Sequence, residues 1–182
     1  MLINVDAGHG SSTPGNRTPP MPVAVDIDKD GKPDIKKGEQ YREHYANVGV
    51  AFLLIQELQR CGFSTMQTGF NDDNAYDDPD TELAARQQAI KQAKCDYSIS
   101  IHFNAYGDGK TFNSAEGVGV YIHNKYPAES KKLAETVLKH LVGGSKQKNR
   151  GVNAEAFAMV NCKNMNTKAA ILCELAFMTN EN

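Results

Sequence analysis

Two apolar runs that each break off at a histidine limit the folds open to this chain. Residues 2–6 lead into A-G-H-G and His9. Residues 98–101, inside C-D-Y-S-I-S-I-H-F-N-A, lead into His102. The second run alternates small polar residues with β-branched Ile99 and Ile101, which marks a buried strand. α/β proteins place their chemistry at the carboxyl ends of central strands. Two strands ending on imidazoles therefore point to two ligands converging on one place.

The segments between them alternate in type. Residues 40–60 carry Ala46, Val50, Leu53, Leu54 and Leu58 at helical spacing, with Gly62 as a stop. Residues 63–68 read as a short strand. Asp80 or Thr81 caps a second helix reaching Lys94, with Leu83, Ala89, Ile90 and Ala93 towards the core. A strand over 118–123, a helix over 127–142 and a last strand over 169–174 follow. Residues 143–150 read as a basic, Gly-rich connection, and 154–160 suit either a strand or a helical turn. This order predicts an α/β fold: a single domain with a mostly parallel twisted sheet and helices on both faces. At 182 residues one domain is expected. A domain of that size buries roughly 70% of its unfolded surface and needs no staples. Cys61, Cys95, Cys162 and Cys173 show no C-x-x-C pairing and read as reduced thiols.

A catalytic zinc site needs three protein ligands and leaves a further position for water or substrate. Beside His9 and His102, the third ligand should be an acid at the same rim. Glu43 in the first helix fits, and Glu39 competes with it. Glu174, ending the last strand, is a carboxylate left over for general base and acid work. His44 points elsewhere from the helix, as a surface or supporting residue. His123 is a further groove candidate, and Arg86 reads as a salt-bridge residue at the rim of the core.

The long polar segment 11–38 exceeds a silent connector and reads as a binding-site loop or a short hairpin. Within it Asp26, Asp28, Asp30, Gly31 and Asp34 follow the start of a calcium loop, but Lys37 stands where a bidentate Glu belongs. Two readings stay open, a Ca2+ site or an acidic turn joining two short strands. A net charge of −2 gives no argument for nucleic acid, and no apolar run approaches a membrane span. Met1 leads directly into the first strand, which predicts cytoplasmic synthesis without a signal peptide. A monomer is expected.

Four motifs in register then carry a resemblance. D-A-G-H-G with His9, E-H-Y-A-N from Glu43 to Asn47, S-I-H-F-N-A around His102 and C-E-L-A-F-M-T-N around Glu174 resemble the zinc-dependent N-acetylmuramoyl-L-alanine amidases of the amidase-3 type. Leu83, Arg86, Gly117, Ser130 and Arg150–Gly151–Val152 add secondary matches. The resemblance implies one catalytic Zn2+ on His9, Glu43 and His102, with Glu174 as the catalytic glutamate. Asn47, one helical turn after Glu43, favours that acid over Glu39. The implied substrate is peptidoglycan, cut between N-acetylmuramic acid and L-alanine of the stem peptide. Loops 11–38, 69–79 and 105–117 would wall an open groove; Asn104, Asn113 and Asn153 read either as peptide or sugar contacts there or as simply solvated loop residues. A phage endolysin released through a holin is the expected setting, with a bacterial autolysin or sporulation amidase, or a non-enzymatic cell-wall-binding module, as the alternative. The family's terminal helix and any wall-binding domain are expected outside residues 1–182.

Overall fold

The computed structural model describes residues 1–13, 15–27, 29–145 and 147–181. Its elements are β1 (Leu2–Ala7), α1 (Glu43–Arg60), β2 (Ser64–Thr68), α2 (Leu83–Ala93), β3 (Tyr97–Asn104), β4 (Val118–His123), α3 (Pro127–Ser145), β5 (Asn149–Glu155), a 3₁₀ turn (Ala158–Val160), α4 (Cys162–Met165) and β6 (Ala169–Phe177). One sheet of six strands runs β2-β1-β3-β6-β4-β5. Neighbours are parallel except β4 and β6, which pair antiparallel.

The chain leaves β1 for β2 on one side of it and then crosses to β3 on the other. Right-handed crossovers put the helices of such a pair of connections on opposite faces, opening a crevice beyond the carboxyl ends of β1 and β3. α1 and α3 cover one face, over Val5, Ala7, Ile101, Val120 and Ile171. α2, the 3₁₀ turn and α4 cover the other, around Ile90, Cys95, Met159 and Met165.

The two faces differ in chemistry, as the period of two in a strand allows. On the α2 face Asn4 and Asp6 of β1 lie in register with Ser98 and Ser100 of β3. All four are fully buried. Asn4 donates to Thr68 and Ser98, Ser100 donates to Asp6 at 2.6 Å, and Arg86 pairs with Asp6 at 3.1 Å. The expected apolar seat of α2 is met only in part, by Ile90 in its apolar cluster. The helix docks through buried Arg86 and Ile90, while Leu83 stays 50% exposed. Asp80 does not cap it. Its carboxylate accepts from the Ser12 and Thr13 amides instead, and the Ser12 and Thr13 side chains, then those amides, hold it down at about 2.

α1 turns a shifted stripe inwards: the expected Val50, Leu54 and Leu58 pack half-buried against the core. His44, Asn47, Val48, Ala51 and Ile55 are buried, and Leu53 is exposed. Residues 46–58 are apolar nearly all round, so spacing alone does not choose the face. While α3 runs on through Gly143–Ser145, β5 takes Asn149 and Arg150 from the end of the expected connection 143–150 and Ala154 and Glu155 from the undecided 154–160. Its residues N-R-G-V-N-A-E show no apolar alternation because it is an edge strand held by backbone pairing to β4. The cysteines are free thiols, three of them buried. Among the described residues no helix is long and apolar enough to cross a membrane.

Candidate active site

His9, Glu43 and His102 offer ligand atoms all within 4.8 Å of one another, the sole such cluster among the described residues. β1 delivers His9 just past its end, in the left-handed region at φ 68°. β3 delivers His102 on the polar stripe begun by Ser98 and Ser100. α1 delivers Glu43 in its first turn, over the top of the sheet. The α1 start is held by the insertion, because Glu43 N–H donates to the Asn16 carbonyl at 2.8 Å.

Glu43 is almost fully buried and surrounded by donors. Its Oε1 lies 2.8 Å from His102 Nδ1 and accepts the Phe103 amide at 3.1 Å. Its Oε2 accepts the Asn16 amide at 2.7 Å and lies 3.2 Å from His9 Nε2. Burial alone would raise this carboxyl, but the hydrogen bonds from His102 and His9 outweigh it and hold it well below the usual carboxylate range. Glu39 lies outside the cluster, with its carboxylate on the Lys36 amide.

The His9 loop is clamped from both sides. His44 is fully buried and takes the supporting place of its two expected ones, with Nδ1 2.8 Å from the Gly8 carbonyl and Nε2 2.9 Å from Asp78. Asn47 donates to the same carbonyl at 3.1 Å. From the other face Arg86 donates to the Ala7 carbonyl at 2.8 Å and to the His9 carbonyl. Asp78 is the residue that the motifs do not mark. Its meeting with His44, which sits directly beside Glu43 in sequence, gives it a role.

Glu174 faces the same point. It is the register partner of His102 on the adjacent parallel strand, so both side chains leave the sheet together. Immediately beyond this pair the register shifts, and Asn104 then faces Phe177. Glu174 Oε2 is buried without a hydrogen-bond partner. Burial first, and the Glu43 charge second, push this carboxyl up to about 8.

These residues share an open cleft of about 450 Å³. Thr13 and Asn16 form one wall. Asp80–Leu83 and the 3₁₀ segment Phe157–Met159 form others.

The sequence of residues 3–182 matches the family model of N-acetylmuramoyl-L-alanine amidases named Amidase_3. The chain belongs to this family. The amidase is similar in fold to several solved structures. An N-acetylmuramoyl-L-alanine amidase from Clostridium difficile 630 aligns over 99% of this chain and 81% of its own, at 24% identity and a TM-score of 0.73. AmiC2 of Nostoc punctiforme aligns over 100% and 82%, at 20% identity and a TM-score of 0.72. The catalytic domain of the CD27L endolysin, which targets Clostridia difficile, aligns over 100% and 84%, at 17% identity and a TM-score of 0.60. No curated protein matches by sequence.

Other expected site residues lie elsewhere in the amidase. Asn104 caps its own turn at the Ala105 amide, Asn113 bonds Tyr106 and Ala115, and Asn153 donates to Arg150 and Gly151. None of the three lines the cleft, and loop 105–117 does not wall it. His123 is buried, accepts the Lys125 amide and stacks on Tyr126. In the acidic segment Asp26 accepts the Lys29 and Gly31 amides, Asp30 the Lys32 amide and Asp34 the Ile27 amide. Val25 and Ile35 bridge antiparallel across it, the geometry of a hairpin turn. Asp28 lies outside the described residues.

Proposed function

We propose that this amidase is a zinc-dependent peptidoglycan hydrolase that cuts the amide between the lactyl group of N-acetylmuramic acid and L-alanine. The observation that carries the mechanism is the meeting of His9, Glu43 and His102 beside Glu174, whose buried Oε2 has no partner. Two imidazoles and one carboxylate suit a catalytic zinc, and the close spacing of the three fits one ion. A zinc ion held there supplies polarisation of the scissile carbonyl and a water activated near neutral pH.

The remaining work falls to the chain. An amide resists hydrolysis because its carbonyl is a weak electrophile and its amine leaves poorly. Glu174 accepts the proton of the attacking water on its free oxygen and delivers it to the departing L-alanine nitrogen. A raised pKa suits both halves of that transfer. The Arg86, His44 and Asn47 hydrogen bonds hold the His9 loop still while this occurs. An open cleft, in place of a closed pocket, admits a crosslinked polymer. We assign the enzyme to phage-driven host lysis, since the fold also serves the catalytic domain of an endolysin. A bacterial autolysin or sporulation role is the alternative, since it also serves a cyanobacterial amidase.

The test is turbidity loss of purified Gram-positive walls, scored together with new amine termini and new reducing sugars. Release of L-alanine amines without reducing ends is expected, abolished by a chelator and restored by zinc. Glu174→Ala should keep zinc and fold yet lose about 10²- to 10⁴-fold in turnover. His102→Ala should lose zinc itself. Wild-type lysis by Glu174→Ala would remove that residue from the mechanism.

A further inference from the structure

The insertion that caps α1 builds a second cavity. Its volume is about 370 Å³, within the roughly 300–1,000 Å³ of small-molecule sites. Three tyrosines make its aromatic side. Tyr45 and Tyr76 have ring centroids 4.4 Å apart, and Tyr41 meets Tyr45 edge-on at 6.1 Å. The Arg42 guanidinium sits 5.7 Å from the centre of the Tyr45 ring. Tyr76 is 63% exposed, so one ring of this group faces solvent.

The charged groups of the cavity are Arg17 and Arg42 against Asp34 and Glu39. Two cations and two anions cancel, which disfavours a charged ligand and leaves many donors and acceptors. Phenol rings offer apolar faces with polar rims. Such a lining fits a ligand with C–H faces and peripheral hydroxyls.

The cavity adjoins the active cleft. Arg17 and Arg42 form an antiparallel bridge. Their chain neighbours Asn16 and Glu43 line the cleft, whereas the two arginines line the cavity. One pair of backbone segments is thus shared by both.

We infer that this cavity is a sugar-binding subsite that takes a neutral pyranose of the glycan strand. The inference rests on the amidase reading for the identity of the strand. Tyr76 and Tyr45 would stack on the ring, and the four charged side chains would bond its hydroxyls.

Calorimetric titration of the full chain with a peptide-free tetrasaccharide of alternating N-acetylglucosamine and N-acetylmuramic acid tests it without any turnover. Saturable binding is expected for the wild type. Tyr76→Ala should weaken it about five- to tenfold, while Tyr76→Phe, which keeps the ring, should retain it. The ratio of KM on long strands to KM on a single-sugar muramoyl peptide should rise by a similar factor in Tyr76→Ala. Absence of saturable heat in the wild type, or equal affinity in Tyr76→Ala, overturns the subsite. Equal loss in Tyr76→Phe overturns the stacking role. Failure of the amidase reading would appear separately, as no L-alanine amines released from whole walls by the wild type.

Discussion

Glu43 and Glu174 are two carboxyls on one cleft whose surroundings drive them in opposite directions. Glu43 gathers four donors and is held as an anion. Glu174 has a buried oxygen with none and is pushed from 4.5 to about 8. The folded protein therefore keeps the Glu174 proton across a range where the unfolded chain has lost it. Its contribution to stability is complete at acid pH below the ordinary glutamate value and drains away as pH climbs through about 8. The melting temperature of chelated protein should fall on this account over that window, and Glu174→Gln should flatten the fall. A variant slope equal to the wild type would locate the titration elsewhere. Glu43 acts in reverse: its contribution is present above the ordinary range and lost as acid titrates it.

At the scale of elements, the site is a junction of two strand ends and one helix start. Gly8 sits at that junction. Its amide extends the ladder to the Ile101 carbonyl, and its own carbonyl is held by His44 and Asn47. A Cβ there would overlap the His102 ring. With the backbone held on both sides, the ring must give way. Gly8→Ala should therefore weaken zinc binding about 10- to 100-fold, the usual cost of disturbing the support of a metal ligand. Competition against a chromophoric chelator reads this directly, with circular dichroism confirming the sheet. Unchanged zinc affinity would mean that the loop can shift after all.

For the whole molecule, Arg86 joins the polar face of the sheet to the site. It reaches from α2 to Asp6 in the core and to the carbonyls of Ala7 and His9 at the rim. Removing one partner of a buried ion pair strands the other charge. Arg86→Leu should cost about 3–5 kcal/mol in urea unfolding. Adding Asp6→Asn should recover part of the loss, because no uncompensated charge then remains. A single variant within about 0.5 kcal/mol of wild type would show that the pair is not a structural clamp.

Much of this protein was legible along the chain. The strand leading to His9, the strands carrying His102 and Glu174, and the alternation of S-I-S-I-H are local patterns, because a strand's period of two assigns faces without knowledge of neighbours; the ends differ, since β3 runs on to Asn104 and β6 to Phe177. The family motifs around Glu43 follow from the same local order. The tertiary structure alone decided the rest. β5 carries no apolar signal, since an edge strand is held by backbone pairing. The face that α1 buries depended on where Glu43 had to reach, and α2 settled on Arg86 because the sheet beneath it is polar. His44 became part of the site through Gly8 and Asp78, and the tyrosine cavity through residues from 41 to 76 brought together. Each of these is a long-range meeting, and spacing within a segment holds no information about what that segment will meet.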